Sequence, residues 1–305
     1  MRSPFSAWCL VVMLCPMGSP TLHAAQPRSV SVTTIASDIP AGTGGLEVGP
    51  DGMIYHSDFG ATLSRGPLGT RVFQVTPTGQ VSVFAEGLQG ASGNAMAPDG
   101  TFFQSNVGGN TISTVGRDGI IRQFAEGLKS PVGIAIHPSG ELSVASCGDN
   151  TIRRIDRSGV VSTLSADSLL RCPNGITLAS DGNLYVSNFG NGDVVRITPG
   201  GEATRVATLP GGNNGHLLWG NGVLYVVARK AHQIYVVTLS GHVALLAGSG
   251  TRGHRDGPAL EATFSLPNDV ALSPDGRILY VNEVVPVVEG DQILTPTTLR
   301  AIHLP

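Results

Sequence analysis

Charge is scarce in this chain. Only 13% of its 305 residues are charged, and 19 basic against 22 acidic side chains leave a formal net charge of −3. That balance excludes a general attraction to nucleic acid or anionic membrane. Aromatics are few, at 5%. There is no Gly-x-Ser-x-Gly elbow, no zinc-spaced cysteine set and no phosphate-binding glycine loop, which sets aside serine-elbow, zinc-ribbon and P-loop chemistry. No apolar run is long enough to cross a bilayer. No Asn-x-Ser/Thr acceptor follows residue 25, which favours a bacterial periplasmic or secreted protein over a eukaryotic one.

The first residues carry a basic Arg2, the apolar run "FSAWCLVVMLC", the breakers of "PMGSP" and the small residues of "HAAQ". This is the layout of a secretory signal cleaved after Ala24 or Ala25. Leu14 before Cys15 argues against a lipoprotein. Residues 1–25 are therefore expected to be a cleaved leader and 26–305 a single domain in the periplasm or outside the cell. Of the four cysteines, Cys147 and Cys172 remain after cleavage, and in an oxidising compartment they are expected to pair.

Glycine is abundant, with 41 residues, and it recurs with a period. A tight turn falls at Asp51, Asp99, Ser139, Asp181, Asn221 and Asp275, at spacings of 48, 40, 42, 40 and 54 residues. Each turn follows a short apolar strand and precedes another: "MIYHS", "TFFQS", "ELSVAS", "NLYVSN", "VLYVVA" and "RILYVN". A third and a fourth alternating segment complete most units. Four-stranded units of about forty residues read as blades of a β-propeller. The sixth unit ends after its third strand, and residues 30–37 fit the missing fourth. The expectation is an all-β, six-bladed β-propeller with four antiparallel strands per blade, the last blade closed by the N-terminal strand.

In such a ring the fourth-to-first and second-to-third connections share one face. That face carries the irregular loops "FGATLSRGPLG", "GSGTRGHRDGPALEATFS" and "VVPVVEGDQILTP", so binding is expected there. Cys147 and Cys172 fall on it in neighbouring blades, which predicts a structural disulfide. The residues opening the inner strands are read as Gly44, Ser92, Val132, Asn174, Asn214 and Asn268, with Asp269 next to the last. The second strands end in Asp58, Asn106, Ser146, Asn188, Ala228 and Glu283. Oxygen-rich groups around one mouth suit a hard cation such as Ca²⁺. The metal set is expected to be Asn174, Asn214, Asn268 and Asp269. Asparagine at such positions also builds turns and caps backbone.

The repeats "PNGITLASDGNLYVSN" and "PNDVALSPDGRILYVNE" resemble those of the senescence-marker-protein/gluconolactonase family, whose relatives include paraoxonases. "SPVGIAIHPSGELSVASCGDNTIRRID" is similar to an NHL repeat. The resemblance spans residues 26–305. It implies a channel-mouth Ca²⁺ held by a first-blade glutamate with asparagines and an aspartate from later blades. Asn174 matches an asparagine ligand, Asn214 stands where an aspartate or Asp-Asn pair is usual, and Asn268 matches a last-blade position. Two positions depart from the pattern. Gly44 stands at the glutamate position, with Glu47 three residues deeper, and Val132 stands where an asparagine is common. Charge on a bound cation would then have to be balanced by Asp269, with Glu283 or Asp58.

Three functions remain open. One is metal-assisted hydrolysis of lactones or small esters, with Asp269 or Glu283 activating water. Another is a non-catalytic NHL-type module binding a ligand or a protein partner. The third is a streptogramin-type or amidating-type lyase, for which His216 is the one well-placed histidine. Asn106, Asn188, His216, Arg229 and Arg252 are expected to contact substrate. Arg229, Lys230 and His232, with Arg252, His254 and Arg255, are expected to form a cationic lip for an anionic small molecule. His137, His242 and His303 lie away from the mouth. No organic cofactor, nucleic acid or membrane span is expected.

Overall fold

The structure, a computed structural model, describes residues 29–63, 66–285 and 292–305. The expected leader lies outside them, as do residues 64–65 and 286–291 of the loops expected at the mouth.

Twenty-five strands build six radial sheets. Blade one holds β2 (Thr43–Val48), β3 (Ile54–Asp58), β4 (Arg71–Val75) and β5 (Val81–Glu86). Blade two holds β6 (Ala91–Met96), β7 (Phe102–Asn106), β8 (Thr111–Val115) and β9 (Ile121–Ala125). Blade three is β10 (Pro131–Ile136), β11 (Leu142–Ser146), β12 (Thr151–Ile155) and β13 (Val161–Ser165). Blade four is β14 (Pro173–Leu178), β15 (Leu184–Asn188), β16 (Asp193–Ile197) and β17 (Ala203–Thr208). Blade five is β18 (Asn214–Gly220), β19 (Val223–Ala228), β20 (Gln233–Val237) and β21 (Val243–Ala247).

Blade six joins the two ends of the chain. Its inner strands are β23 (Val270–Leu272), β24 (Ile278–Val284) and β25 (Thr297–His303), and its outer strand is the N-terminal β1 (Ser31–Ile39). β1 pairs with β25 from Ser31↔His303 to Ile39↔Thr297. The two-residue β22 (Gly257–Pro258), from the long insertion before blade six, then pairs with Ser31 and Val32. Part of the outermost edge is thereby covered.

The turns on the face opposite the loops show why the repeat reads so clearly. Gly52, Gly100, Gly140, Gly182, Gly222 and Gly276 all adopt positive φ, a conformation that glycine reaches without steric cost. The preceding side chain accepts from the backbone two residues on, as in Asp99 Oδ1 to Thr101 N at 2.8 Å and Asp275 Oδ1 to Arg277 N at 3.1 Å.

The core is divided among the six gaps between blades. Tyr55, Val72, Leu88, Phe102 and Val115 fill the gap between blades one and two. Val32, Val227, Ile234, Phe264, Leu279 and Ile302 fill that between blades five and six. A blade with apolar residues on both faces has no stable solitary state, so the ring must close.

Candidate functional site

Five inner strands share an irregularity. The register shifts between Thr43 and Leu46, Ala91 and Asn94, Pro131 and Ile134, Pro173 and Ile176, and Asn214 and Leu217. One residue is extra on the inner strand, a bulge that re-aims side chains near the mouth. Two radial layers follow from this register. The outer layer is Gly44, Ser92, Val132, Asn174, Gly215 and Asn268. One residue deeper lie Gly45, Gly93, Gly133, Gly175, His216 and Asp269.

The register moves one expected residue. Asn214 pairs with Ala228 as Pro173 pairs with Asn188 and Thr43 with Asp58, so it sits one position before the mouth layer. Its Nδ2 donates to Asp193 O at 3.3 Å, toward blade four, and it lines neither central cavity. The shared "Asn-Gly" of blades four and five hid the one-residue offset.

A cavity of about 380 Å³ opens at the mouth. Its floor includes Thr43, Ser92, Asn174, His216 and Asn268, and its walls include Phe59, Leu63, Val107, Phe189 and Leu294. Asn174 Nδ2 donates to Asn214 O at 3.2 Å, and Asn268 Nδ2 to Thr43 O at 2.9 Å and Gly44 O at 3.2 Å. Each amide ties its blade to the next, while neither Oδ1 accepts a hydrogen bond among the described residues.

Behind this cavity lies a second of about 230 Å³ within the channel, lined by Glu47, Asn94, Thr177, His216 and Asp269 among others. His216 is the residue common to both linings. Its Nδ1 lies 3.3 Å from Asp269 Oδ2. Asp269 Oδ2 also accepts from Leu46 N at 2.8 Å, and Oδ1 from Val270 N at 2.7 Å. Burial pushes the His216 pKa down to about 4, so the imidazole is neutral near pH 7. Burial, with a smaller contribution from the Glu47 charge, raises Asp269 well above the usual carboxylate range. Burial also lifts Glu47 to about 7. Glu47, three residues deeper than the ligand position at Gly44, lines the channel. Its alternation with Gly45 along an inner strand was the available signal that it faces the channel.

The remaining expected site residues are held in structural contacts. Asn106 Oδ1 accepts from Gln89 N at 3.4 Å, and Asn188 Oδ1 from Arg171 N at 3.2 Å. Asp58 accepts from Gly42 N at 2.7 Å and Ser146 from Lys129 N at 3.2 Å. In these blades the end of the second strand anchors the loop entering the inner strand. Glu283 does the same through Ser265 N at 2.7 Å, fully buried beside Arg300. It lines neither central cavity. Two members of the expected cationic lip turn inward, buried Arg229 donating to Leu266 O at 2.6 Å and Arg252 to Ser265 Oγ at 3.0 Å, whereas Lys230 and Arg255 are exposed.

A resident Ca²⁺ fits the mouth poorly. The described lining offers neutral oxygens and one imidazole, with no carboxylate, and a divalent ion held by amides alone keeps its charge uncompensated. Among the described residues no three His, Cys, Asp or Glu side chains converge on a point that could hold a metal. The disulfide forms between Cys147 and Cys172, joins blades three and four, and contributes to the cavity wall. No helix among the described residues is long and apolar enough to cross a membrane.

No protein-family model and no curated protein sequence matches this chain. Solved structures do match its fold. A gluconolactonase from Xanthomonas campestris superposes with a TM-score of 0.67 at 16% identity, covering 94% of each chain. A virginiamycin B lyase from Staphylococcus aureus gives 0.60 at 17% identity, over 90% of this chain and 99% of that one. An auxiliary nutrient binding protein from Bacteroides thetaiotaomicron gives 0.70 at 15% identity, over 90% and 76%. The fold is the property shared with all three.

Proposed function

We propose that this chain is a propeller hydrolase of lactones or small esters that acts at the mouth cavity, with His216 as general base. The observation that carries the reading is that a neutral histidine borders both the mouth and the channel, with an aspartate 3.3 Å behind it. Asp269 on the Nδ1 side leaves Nε2 to take a proton from water as the oxygen attacks the carbonyl carbon. Collapse of the adduct breaks the carbon–oxygen ester bond, and His216 returns the proton to the leaving alkoxide. For the developing oxyanion, Asn174 has a second amide N–H, and the Ser92 hydroxyl makes no hydrogen bond among the described residues. The repeat resemblance to the gluconolactonase family supports the choice of carbonyl substrate. Membership of that family, an NHL-type ancestry of the repeats and export to an oxidising compartment belong to the same proposal. The Cys147–Cys172 bond supports export.

The test is turnover of a panel of uncharged lactones and aryl esters by wild type and His216→Gln, with Ca²⁺ added and with chelator. Chelator-resistant hydrolysis lost in the variant supports the reading. Hydrolysis that strictly requires added Ca²⁺ returns the weight to a metal site. Unsaturated products without incorporation of solvent oxygen would mark a lyase, and binding without turnover a ligand-binding module.

A further inference from the structure

The mouth cavity is built in two tiers of different chemistry. Its collar comes from the residue directly after the second strand in blades one to five, Phe59, Val107, Cys147, Phe189 and Arg229, and from the last residue of that strand in blade six, Val284. Four of these line the cavity, as two phenylalanines, a valine and half of the disulfide. The one cation of the ring, Arg229, is buried and points to Leu266 O. Leu63 and Leu294 extend the apolar wall on the side of blades one and six. The floor is polar and, with His216 held neutral, carries no charge among the described residues.

From this arrangement we infer that the ligand is an uncharged amphipathic molecule, its polar head on Ser92, Asn174 and Asn268 and its apolar tail against the Phe59–Val107–Phe189 collar. The inference rests on the proposed function for the site but concerns recognition rather than chemistry. A sugar acid is disfavoured for two reasons. Its carboxylate would meet no cation among the described lining residues, and its hydroxyls would lie against carbon. An alkyl or aryl substituent would instead remove the collar from water, adding about 0.8 kcal/mol for each buried methylene. The cavity volume falls in the range of small-ligand sites.

Calorimetry on the wild-type protein tests this with homologous primary alcohols, which cannot be hydrolysed, and with γ-alkyl lactones of matching chain length. Gluconate serves as the anionic, polyhydroxylated control. Affinity for the alcohols is expected to rise about fourfold per methylene until the cavity is filled, with gluconate not binding. Phe189→Ala and Phe59→Ala should flatten that slope, whereas Asn174→Ala should weaken every homologue by a similar factor. Alcohols that bind with this slope while the lactones remain intact would leave the recognition standing and remove the hydrolase reading. Length-independent or absent binding of the alcohols, or tighter binding of gluconate, overturns the inference.

Discussion

His216 and Asp269 hold the same register position on neighbouring blades, and their side chains meet at 3.3 Å in the centre of the channel. The other four blades place Gly45, Gly93, Gly133 and Gly175 there. Blades are so close at these points that a Cβ on Gly93 would lie 2.4 Å from Val132 O, and one on Gly133 2.5 Å from Asn174 O. The only side chains at this level are therefore a base and its partner. With His216 neutral and Asp269 ionised as its Nδ1 acceptor, kcat/KM should show an acid limb that belongs to the pair: burial brings His216 down to about 4 and holds Asp269 above the usual carboxylate range. Asp269→Asn should move that limb, and His216→Gln should lower turnover by about 10²–10⁴-fold. A limb unmoved by Asp269→Asn would point to a different group.

Glu47 gives a stability signature independent of any activity. Its pKa is raised from 4.5 to about 7 in the fold, so the native state holds this proton more tightly than the unfolded chain. Its stabilising contribution is complete below about 4.5 and is lost as pH rises through 7. Glu47→Gln keeps the neutral form at all pH. Relative to wild type, the variant should gain stability between pH 4.5 and 7 and level off above. The gain should reach about 1–2 kcal/mol at pH 8, allowing for partial solvent access at the channel end. Urea denaturation across that range measures it, and a pH-independent difference would show that Glu47 does not change protonation on folding.

The disulfide closes a loop between residues 25 apart. Chain-entropy reasoning assigns it about 3 kcal/mol. Cys147→Ser with Cys172→Ser should therefore lower the urea midpoint markedly while the far-ultraviolet spectrum of the ring persists. Because the same bond forms part of the mouth wall, the variant should also bind the longer alcohols less tightly. Unchanged stability would mean that the blades are already fixed in register without the bond.

The repeat was legible in the sequence because its punctuation is local. An Asp-Gly turn needs only a positive-φ glycine and a side-chain acceptor just before it, and both are visible as letters. The N-terminal strand was legible by elimination, since the sixth unit lacked its outer strand. The site was less so. Asn106, Asn188 and Glu283 end second strands, where a polar side chain can face the mouth or fold back on the loop before its own blade. The structure has them fold back. The Asn-Gly of blade five invites alignment with that of blade four, whereas its pairing with Ala228 puts Asn214 level with Pro173, one residue earlier. Glu47 is visible in the sequence, and its alternation with Gly45, more than its offset from the ligand position at Gly44, places it in the channel.

Arg300 offers the most demanding test of how the ring is held shut. It is fully buried with Glu283, donating from Nη1 at 2.5 Å, and its Nη2 donates to Asp256 at 2.6 Å. Asp256 in turn accepts from Thr34 N at 3.0 Å and Thr34 Oγ1 at 3.1 Å on β1. Further bonds run from Arg300 to Thr263 O and Arg255 O at 3.2 Å, and its guanidinium sits 5.2 Å from the Phe264 ring centre. One side chain thus links β24, β25, the insertion before blade six and, through Asp256, the N-terminal strand. Among the described residues, Arg300→Met leaves the buried Glu283 with only His254 Nδ1, at 3.0 Å, and Ser265 N, at 2.7 Å, beside it, and should cost about 3–5 kcal/mol. Adding Glu283→Gln removes the stranded charge and should recover part of that loss, so the two substitutions are expected to be non-additive. Hydrogen exchange should locate the damage: in Arg300→Met the amides of β1 lose protection first, while blades two to four keep theirs. Uniform loss around the ring, or strict additivity of the two substitutions, would mean that closure does not depend on this pair.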